Sequence, residues 1–371
     1  MWPALLSHSV ADFRPGHFLP GLMAGLIAGM LVLAFSISFA ALIFSGDLSP
    51  YVPIGIGLAL TSALVFNITI ALGSSVPTAV AGPQDAFTAI MAITAASIAS
   101  VLTTRGSPEQ ILPTILVAIA LASLLIGACF LALGVFRLGL LIRFIPYPVI
   151  AGFLAGLGWL LVVGSVSLLT GIPLSVESLG LLLRIDIVAR LLPGVLLAVA
   201  LLAMLRRSNN SLILPATVLA AFGLFYGTLW LTHTSLAEAT SQGWLLGSFP
   251  ADTLWQPLTP AALTQVNWSV LAGQVGNLVT LPAISAIGFL LNLTGIELET
   301  HRDVDVDREL RVMGIANLVA GAGSGLGGYH WLIGSVIGDK ARANGRLVGI
   351  TVALLSGVAL WQGAALLQYI P

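Results

Sequence analysis

Apolar stretches about twenty residues long recur along the chain between short polar breaks. They cover residues 20–45, 51–72, 83–101, 111–135, 144–170, 188–205 and 212–232, and then 275–296, 308–322, 328–342 and 347–368. A bilayer hydrocarbon core of about 30 Å takes roughly 20 apolar residues per helix. The pattern therefore predicts a polytopic, all-α integral membrane protein with eleven spans. Between the seventh and eighth windows, His233 to Gln274 holds Glu238, Asp252, Pro257, Pro260 and the tryptophans Trp244, Trp255 and Trp268. Indole rings favour the membrane–water boundary, so this stretch predicts an interfacial loop with aromatic anchors.

Two windows do not suit a continuous helix. Gly73, Ser74, Ser75, Val76 and Pro77 lead through an apolar stretch to Ala81, Gly82, Pro83 and Gln84, with Pro83 suited to the first position of a helix that begins at membrane depth. Towards the other end, Gly321, Gly323, Gly325, Gly327 and Gly328 precede Tyr329 and His330. So dense a run of glycine disfavours a straight helix. Irregular backbone at membrane depth is tolerated where protein buries it or where it lines a cavity. Paired broken segments in the two halves point to a transporter site built on inverted repeats.

Composition removes the soluble alternative, since 58% of residues are hydrophobic and 8% charged, against about 25% charged in an ordinary soluble domain. Positive charge also orders the topology. With the N-terminus inside, the inner breaks hold Arg14, Arg137, Arg143, Arg206, Arg207, Arg302, Arg308, Arg311, Lys340, Arg342 and Arg346, and the outer breaks only Arg105, Arg184 and Arg190. Eleven of the 14 basic residues thus fall on one side, which predicts a plasma-membrane (inner-membrane) protein with a cytoplasmic N-terminus. Met1 to Pro20 lacks the marks of a signal peptide and reads as a short cytoplasmic lead-in helix with Asp12, Arg14 and His17.

Several chemistries are excluded. Cys129 lies alone inside an apolar window, so neither a disulfide framework nor a thiolate metal site is expected. No span carries a His-Glu-x-x-His, Gly-x-Ser-x-Gly or paired-aspartate motif, which argues against an enzyme. Basic residues are scattered, which argues against nucleic acid as a partner. Asp303, Asp305 and Asp307 have the alternating spacing that opens a calcium loop, yet the required glycine and downstream glutamate do not follow. They read as a solvated loop, and no cofactor is expected beyond a coupling proton or sodium ion.

Three stretches carry a family resemblance. The first is Phe35, Ser36, Ile37, Ser38, Phe39, Ala40, Ala41, Leu42, Ile43, Phe44, Ser45, Gly46, with the later Ala81, Gly82, Pro83. The second runs from Phe136, Arg137, Leu138, Gly139 through Arg143, Phe144, Ile145, Pro146 and Pro148 to Gly152, Phe153, Ala155 and Gly156. The third is Asp307, Arg308, Glu309, Leu310, Gly314, Ile315, Ala316, Asn317, followed by the glycine-rich segment. Together they resemble the SulP (sulfate permease) family, in a form similar to its microbial branch. Gly328, Tyr329, His330 stand where most members have Gly-x-Pro with a Ser-Arg pair behind it. Asn292 to Glu297 stand where many have Ile-Glu-Ser or Ile-Asp-Ser.

The resemblance implies the uracil-transporter-like fold of two inverted seven-span repeats, with half-helices in spans 3 and 10. On that pattern residues 1–19 are the lead-in, 20–135 core spans 1 to 4, 136–232 gate spans 5 to 7, 233–274 an extracytoplasmic loop, and 275–371 core spans 8 to 11. The sequence ends at Tyr369, Ile370, Pro371 where the family pattern continues into span 12, so gate spans 12 to 14 and a STAS domain fall outside it. A homodimer is implied as well.

What the resemblance implies for function is secondary transport of a small inorganic anion of the sulfate or bicarbonate class by alternating access, coupled to a proton or sodium ion. The half-helix N-termini would face each other and hold the anion through backbone N–H groups and dipole charge. Gly82, Pro83 and Gln84 would frame one end, Gly328, Tyr329 and His330 the other, with Phe35, Ser36 and Ser38 lining the cavity between them. Asp85 fits either a cap on its own helix or a coupling-ion site. Asn292, Thr294 and Glu297 are further coupling-ion candidates, although polar residues in spans also bond helix to helix. Two other readings stay open: a nucleobase–cation symporter on the same fold, and a non-transporting membrane scaffold or sensor.

Overall fold

The computed structural model describes residues 15–139, 147–172, 177–208, 213–241, 259–343 and 345–367, with 174, 244, 245 and 254. Among the described residues, eleven helices fall on the eleven apolar windows, ten of them long and one, α10, of nine residues. They are α1 (Pro15–Ile43), α2 (Val52–Gly73), α3 (Asp85–Thr104), α4 (Ile111–Val135), α5 (Tyr147–Thr170), α6 (Ile185–Arg207), α7 (Ile213–Leu231), α8 (Val275–Thr300), α9 (Val306–Ala322), α10 (Leu332–Lys340) and α11 (Leu347–Leu367). Among the described residues, α1, α2, α3, α4, α6 and α8 are long and apolar enough to cross a membrane by length and composition. The proposed lead-in residues Asp12 and Arg14 lie outside the described residues, as do Arg143, Pro146, Asp252, Trp255 and Pro257.

Two helix pairs are drawn together by glycines at helical spacing. On α1, Gly21, Gly25 and Gly29 lie against Leu347, Thr351 and Leu355 of α11, and a Cβ at Gly25 would sit 2.5 Å from the Thr351 Cβ. Small residues four apart form a groove that admits a neighbouring helix, which is how spans pack where lipid is as apolar as the partner. The α4–α9 pair is tighter still, because backbone meets backbone. A Cβ at Gly127 would lie 2.7 Å from the Leu318 nitrogen, and one at Gly314 would lie 2.6 Å from the Leu131 nitrogen. Each pair joins a helix of the first half to one of the second.

The all-α expectation needs one amendment. At the two predicted breaks the chain forms short strands, β1 (Ala81–Pro83) and β2 (Gly328–His330), paired antiparallel with Ala81 opposite His330 and Pro83 opposite Gly328. Broken backbone buried at this depth must find partners within the protein, and each strand supplies part of the other's. Pairing also moves the helix starts. Pro83 lies in β1 and is not the first helical residue, because the chain stays extended through Gln84 (φ −99°, ψ 149°) and α3 begins at Asp85. The second half-helix likewise begins at Leu332, after Trp331 as its N-cap.

The stretch between α7 and α8 is more than an interfacial loop. It carries short helices at Leu236–Ser241, Pro260–Thr264 and Trp268–Ala272. Its Leu254 is only 4% exposed, with a carbonyl oxygen so close to Gly57 of α2 that any larger residue at 57 would overlap it.

Candidate functional site

The two half-helices are positioned by one device used twice. In α2, the Asn67 carboxamide donates to the Ala81 carbonyl at 2.7 Å and accepts from the Ala81 N–H at 3.1 Å. In α9, the Asn317 carboxamide donates to the Gly328 carbonyl and accepts from the Gly328 N–H, both at 2.9 Å. Ala81 and Gly328 are the first residues of their strands, so each asparagine clamps the strand of its own half. Across the halves, Gln84 N–H donates to the Gly327 carbonyl at 3.1 Å and Trp331 N–H to the Val80 carbonyl at 2.8 Å. Gly328 has no room for a side chain, since a Cβ there would overlap the Phe66 ring and the Gly82 carbonyl.

The residues at the helix starts differ. Gln84 is fully buried, its Nε2 donating to Ser285 Oγ of α8 at 2.7 Å while its Oε1 is buried without a partner. Asp85 Oδ1 accepts from its own helix at the Ala86 N–H, 2.8 Å, and from the Tyr329 hydroxyl, 2.7 Å. Its carboxylate thus caps α3 and ties that helix to β2. On the other side Trp331 donates from Nε1 to the Pro83 carbonyl at 3.1 Å, and its ring lies 2.9 Å from where a Cβ on Gly82 would stand. The first amide of α10, Leu332 N–H, donates to Asn292 Oδ1 at 3.2 Å.

A second polar group lies just behind the strands. The Glu309 and His330 side chains are both 0% exposed, with His330 Nε2 at 2.8 Å from Glu309 Oε2. Glu309 Oε1 accepts from the Ser75 N–H at 2.5 Å and hydroxyl at 2.8 Å. Nearby, Arg308 Nε donates to the Gly73 carbonyl and Arg346 Nη1 to the Ala71 carbonyl, both at 2.8 Å. Two cations therefore cap the C-terminal end of α2, where the helix dipole favours positive charge.

Of the residues expected at the site, strand pairing gathers Gly82, Pro83, Gln84, Asp85, Gly328, Tyr329 and His330. Phe35 joins them by packing edge-on against Trp331, centroids 5.1 Å apart. Ser36 is fully buried with its hydroxyl unpartnered. Ser38 is not gathered in; it is exposed and bonds back to the Ala34 carbonyl at 2.8 Å. Both atoms of the Asn292 carboxamide are engaged, Nδ2 with the Gly288 carbonyl at 3.0 Å and Oδ1 with α10. Thr294 is exposed, and Glu297 is half-buried further along α8.

Sequence reasoning gave no role to Asn67, Asn317, Trp331, Ser75 or Glu309. For the asparagines a signal existed: each stands in an apolar window, 14 and 11 residues before the strand residue it clamps.

With this geometry in view, comparison with known proteins is decisive. A model of the sulfate permease family matches residues 18–371. The chain belongs to that family. Its fold is that of the family's solved membrane domains. The transmembrane domain of a cyanobacterial bicarbonate transporter, BicA, superposes with a TM-score of 0.69 at 21% identity, covering 97% of this chain and 86% of that one. The murine Solute Carrier 26 family member A9 anion transporter, in its inward-facing state, gives 0.70 at 16% identity over 99% of this chain and 60% of that one.

Among curated proteins, the vacuolar basic amino acid transporter VSB1 of Saccharomyces cerevisiae is 26% identical over 382 residues, spanning all of this chain and 36% of the relative. The bicarbonate transporter BicA of Picosynechococcus sp. is 23% identical over 368 residues, spanning 96% of this chain and 59% of the relative. The chain therefore spans between about a third and three fifths of the length of these curated relatives. These are membrane transporters, and the chain's apolar helices and fold accord with a multi-pass membrane transporter family.

Proposed function

We propose that this chain is the site-bearing part of a secondary transporter that moves a small inorganic anion of the bicarbonate or sulfate class by alternating access. The observation that carries the reading is the pair of half-helices α3 and α10, which start side by side at the β1–β2 ribbon with no lysine or arginine in β1, β2 or the first turn of either helix. A helix start presents backbone donors and about half a positive charge, which suffices for a small anion without a buried cation. The sulfate permease membership, the BicA relatives and the anion-transporter fold neighbours support the same substrate class.

In this reading Gly82, Pro83, Gln84, Gly328, Tyr329 and His330 border the anion, with Phe35 and Ser36 beside them. Residues 20–135 and 275–371 act as the core that carries the site, and 136–232 as part of the gate against which it moves. The protein sits in the plasma membrane with its N-terminus in the cytoplasm and works as a homodimer. Uptake of labelled bicarbonate and sulfate into proteoliposomes holding the full-length protein tests the reading. Flux above that of empty vesicles is expected for at least one of the two, and its absence for both overturns the proposal.

One observation favours a second reading. The match of the whole of this chain to 36% of a basic amino acid transporter coincides with an acid, Asp85, at the first position of α3. A cationic amino acid would set its positive charge against that carboxylate. Labelled arginine in the same vesicles separates the two substrates.

A further inference from the structure

An ionisable group buried in a membrane protein is costly unless paired, and where it persists it marks a functional site by default. Glu309 and His330 are such a pair. Both side chains are fully buried, and together with Ser75 they join the segment that leads into β1 to the last residue of β2. Glu309 Oε1 takes both donors of Ser75, and Oε2 faces His330 Nε2. His330 Nδ1 is buried without a partner. The imidazole stands edge-on to Phe289, centroids 5.6 Å apart, and Phe289 packs against Phe130. One side of the pair is thus hydrogen-bonded and the other dry.

That arrangement has two neighbouring charge states. With a neutral imidazole, the carboxylate keeps its two hydrogen bonds from Ser75, His330 Nε2 stands 2.8 Å from Oε2, and the cluster carries one negative charge. One added proton makes it neutral, as imidazolium with carboxylate or as imidazole with carboxylic acid, and no heavy atom has to move. Imidazole is the side chain suited to such a change near neutral pH.

The surrounding charges are otherwise engaged. Arg308 binds the α2 carbonyls, Arg311 Nε donates to the Asp307 carbonyl, and Asp305 and Asp307 accept from backbone N–H groups. Asp85 is held by Tyr329. At the far ends of α8 and α10, Arg302 pairs with Asp339 and Lys340 with Glu299. Cys129 of α4 is half-buried, and α2 contributes no charged residue.

We propose that Glu309 and His330 form the proton-coupling site of the transport cycle, binding one proton as the anion binds and releasing it after the core has moved. The proposal rests on the transport reading above. The placement explains how the proton would be felt at the anion site. Ser75 precedes β1, and His330 is followed at once by Trp331, the N-cap of α10. A change of charge at the pair therefore acts on the approach to both half-helices. Neutralising the pair removes a negative charge close to the incoming anion, so that each favours the other.

The test separates coupling from transport. Full-length protein, reconstituted in vesicles, is assayed for labelled-sulfate exchange at equal pH on both sides and for accumulation driven by an inward proton gradient. Glu309→Gln is expected to keep exchange and to lose gradient-driven accumulation by at least about tenfold, within the usual range of a coupling free energy. Equal gradient-driven accumulation in the variant and the natural protein would overturn the proposal.

An infrared titration of the detergent-purified protein needs no substrate and covers the case in which a variant is inactive or the natural protein carries no sulfate. A protonation step on the carboxyl or imidazole bands is expected between about pH 5 and 9, absent in Glu309→Gln, shifted in His330→Asn and retained in Asp85→Asn. No such step in the natural protein, or the same step in Glu309→Gln, rejects the proton site. Absence of both sulfate and bicarbonate flux rejects the transport reading and leaves the proton site to the titration.

Discussion

The two halves of the protein build the same backbone at β1 and β2 from different side chains. In both, an asparagine holds the first residue of a strand through its N–H and carbonyl, and the strand gives way to a helix after one extended residue. The first half-helix then runs for 20 residues and opens with Gln84 and Asp85, whereas the second runs for nine and opens with Trp331 and Leu332. The first caps itself with its own carboxylate; the second borrows Asn292 from α8. The backbone geometry is thus shared by the repeats, while the acid and the large aromatic ring are each confined to one. Function that depends on helix dipoles belongs to both halves, and function that depends on charge belongs to particular residues.

The largest expected effect tests the shared part. Asn67→Ala and Asn317→Ala each strand a buried N–H and carbonyl, at a cost of about 2–4 kcal/mol, visible as a clear fall in the thermal midpoint of the purified protein. Comparable losses would support equivalence of the halves; a loss from only one would break it. Next comes the part that differs. Asn292→Ala should cost about 1 kcal/mol, as the loss of a helix cap does, and hydrogen exchange should quicken in α10 but not in α3.

Asp85→Asn keeps an oxygen for Tyr329 and removes the charge. Relief of repulsion over several ångströms is worth roughly 1–2 kcal/mol. Bicarbonate or sulfate should therefore bind about five- to thirtyfold tighter, whereas a cationic amino acid should bind more weakly, and uptake assays decide the sign.

The smallest effect lies outside the site. The Ser235 N–H and hydroxyl donate to Glu238, which in turn donates its N–H to Ser235 Oγ, so these bonds hold the Glu238 carboxyl below its ordinary value. A lowered carboxyl stabilises at neutral pH, and that contribution fades as the pH falls through the lowered value. Amide exchange across Leu236–Ser241 should rise in acid, and Ser235→Ala, which removes the hydroxyl but keeps the backbone N–H, should weaken the dependence.

The sequence revealed whatever depends on local pattern. Apolar windows located the helices α1 to α11, and glycine and proline located both breaks, because these features follow from length and backbone freedom. The strands, and the two-residue delay of α3 past Pro83, were not legible, since a strand exists here only through a partner on the far side of the sequence. Glu309 was visible as one letter of a family-like run, but its role depends on Ser75, 234 positions away. Leu254 reads as an ordinary loop residue until the space left by Gly57 is seen.

The β1–β2 ribbon also bears on the order in which the protein is made. β1 is synthesised well before β2, yet its first residue already has both backbone groups bound to Asn67 of the preceding helix. The nascent first half can therefore wait at the membrane with part of its broken strand satisfied. Gly82 meets Tyr329, and the Pro83 carbonyl its donor on Trp331, only when the second half arrives. Completion of the ribbon thus waits on the second half of the chain.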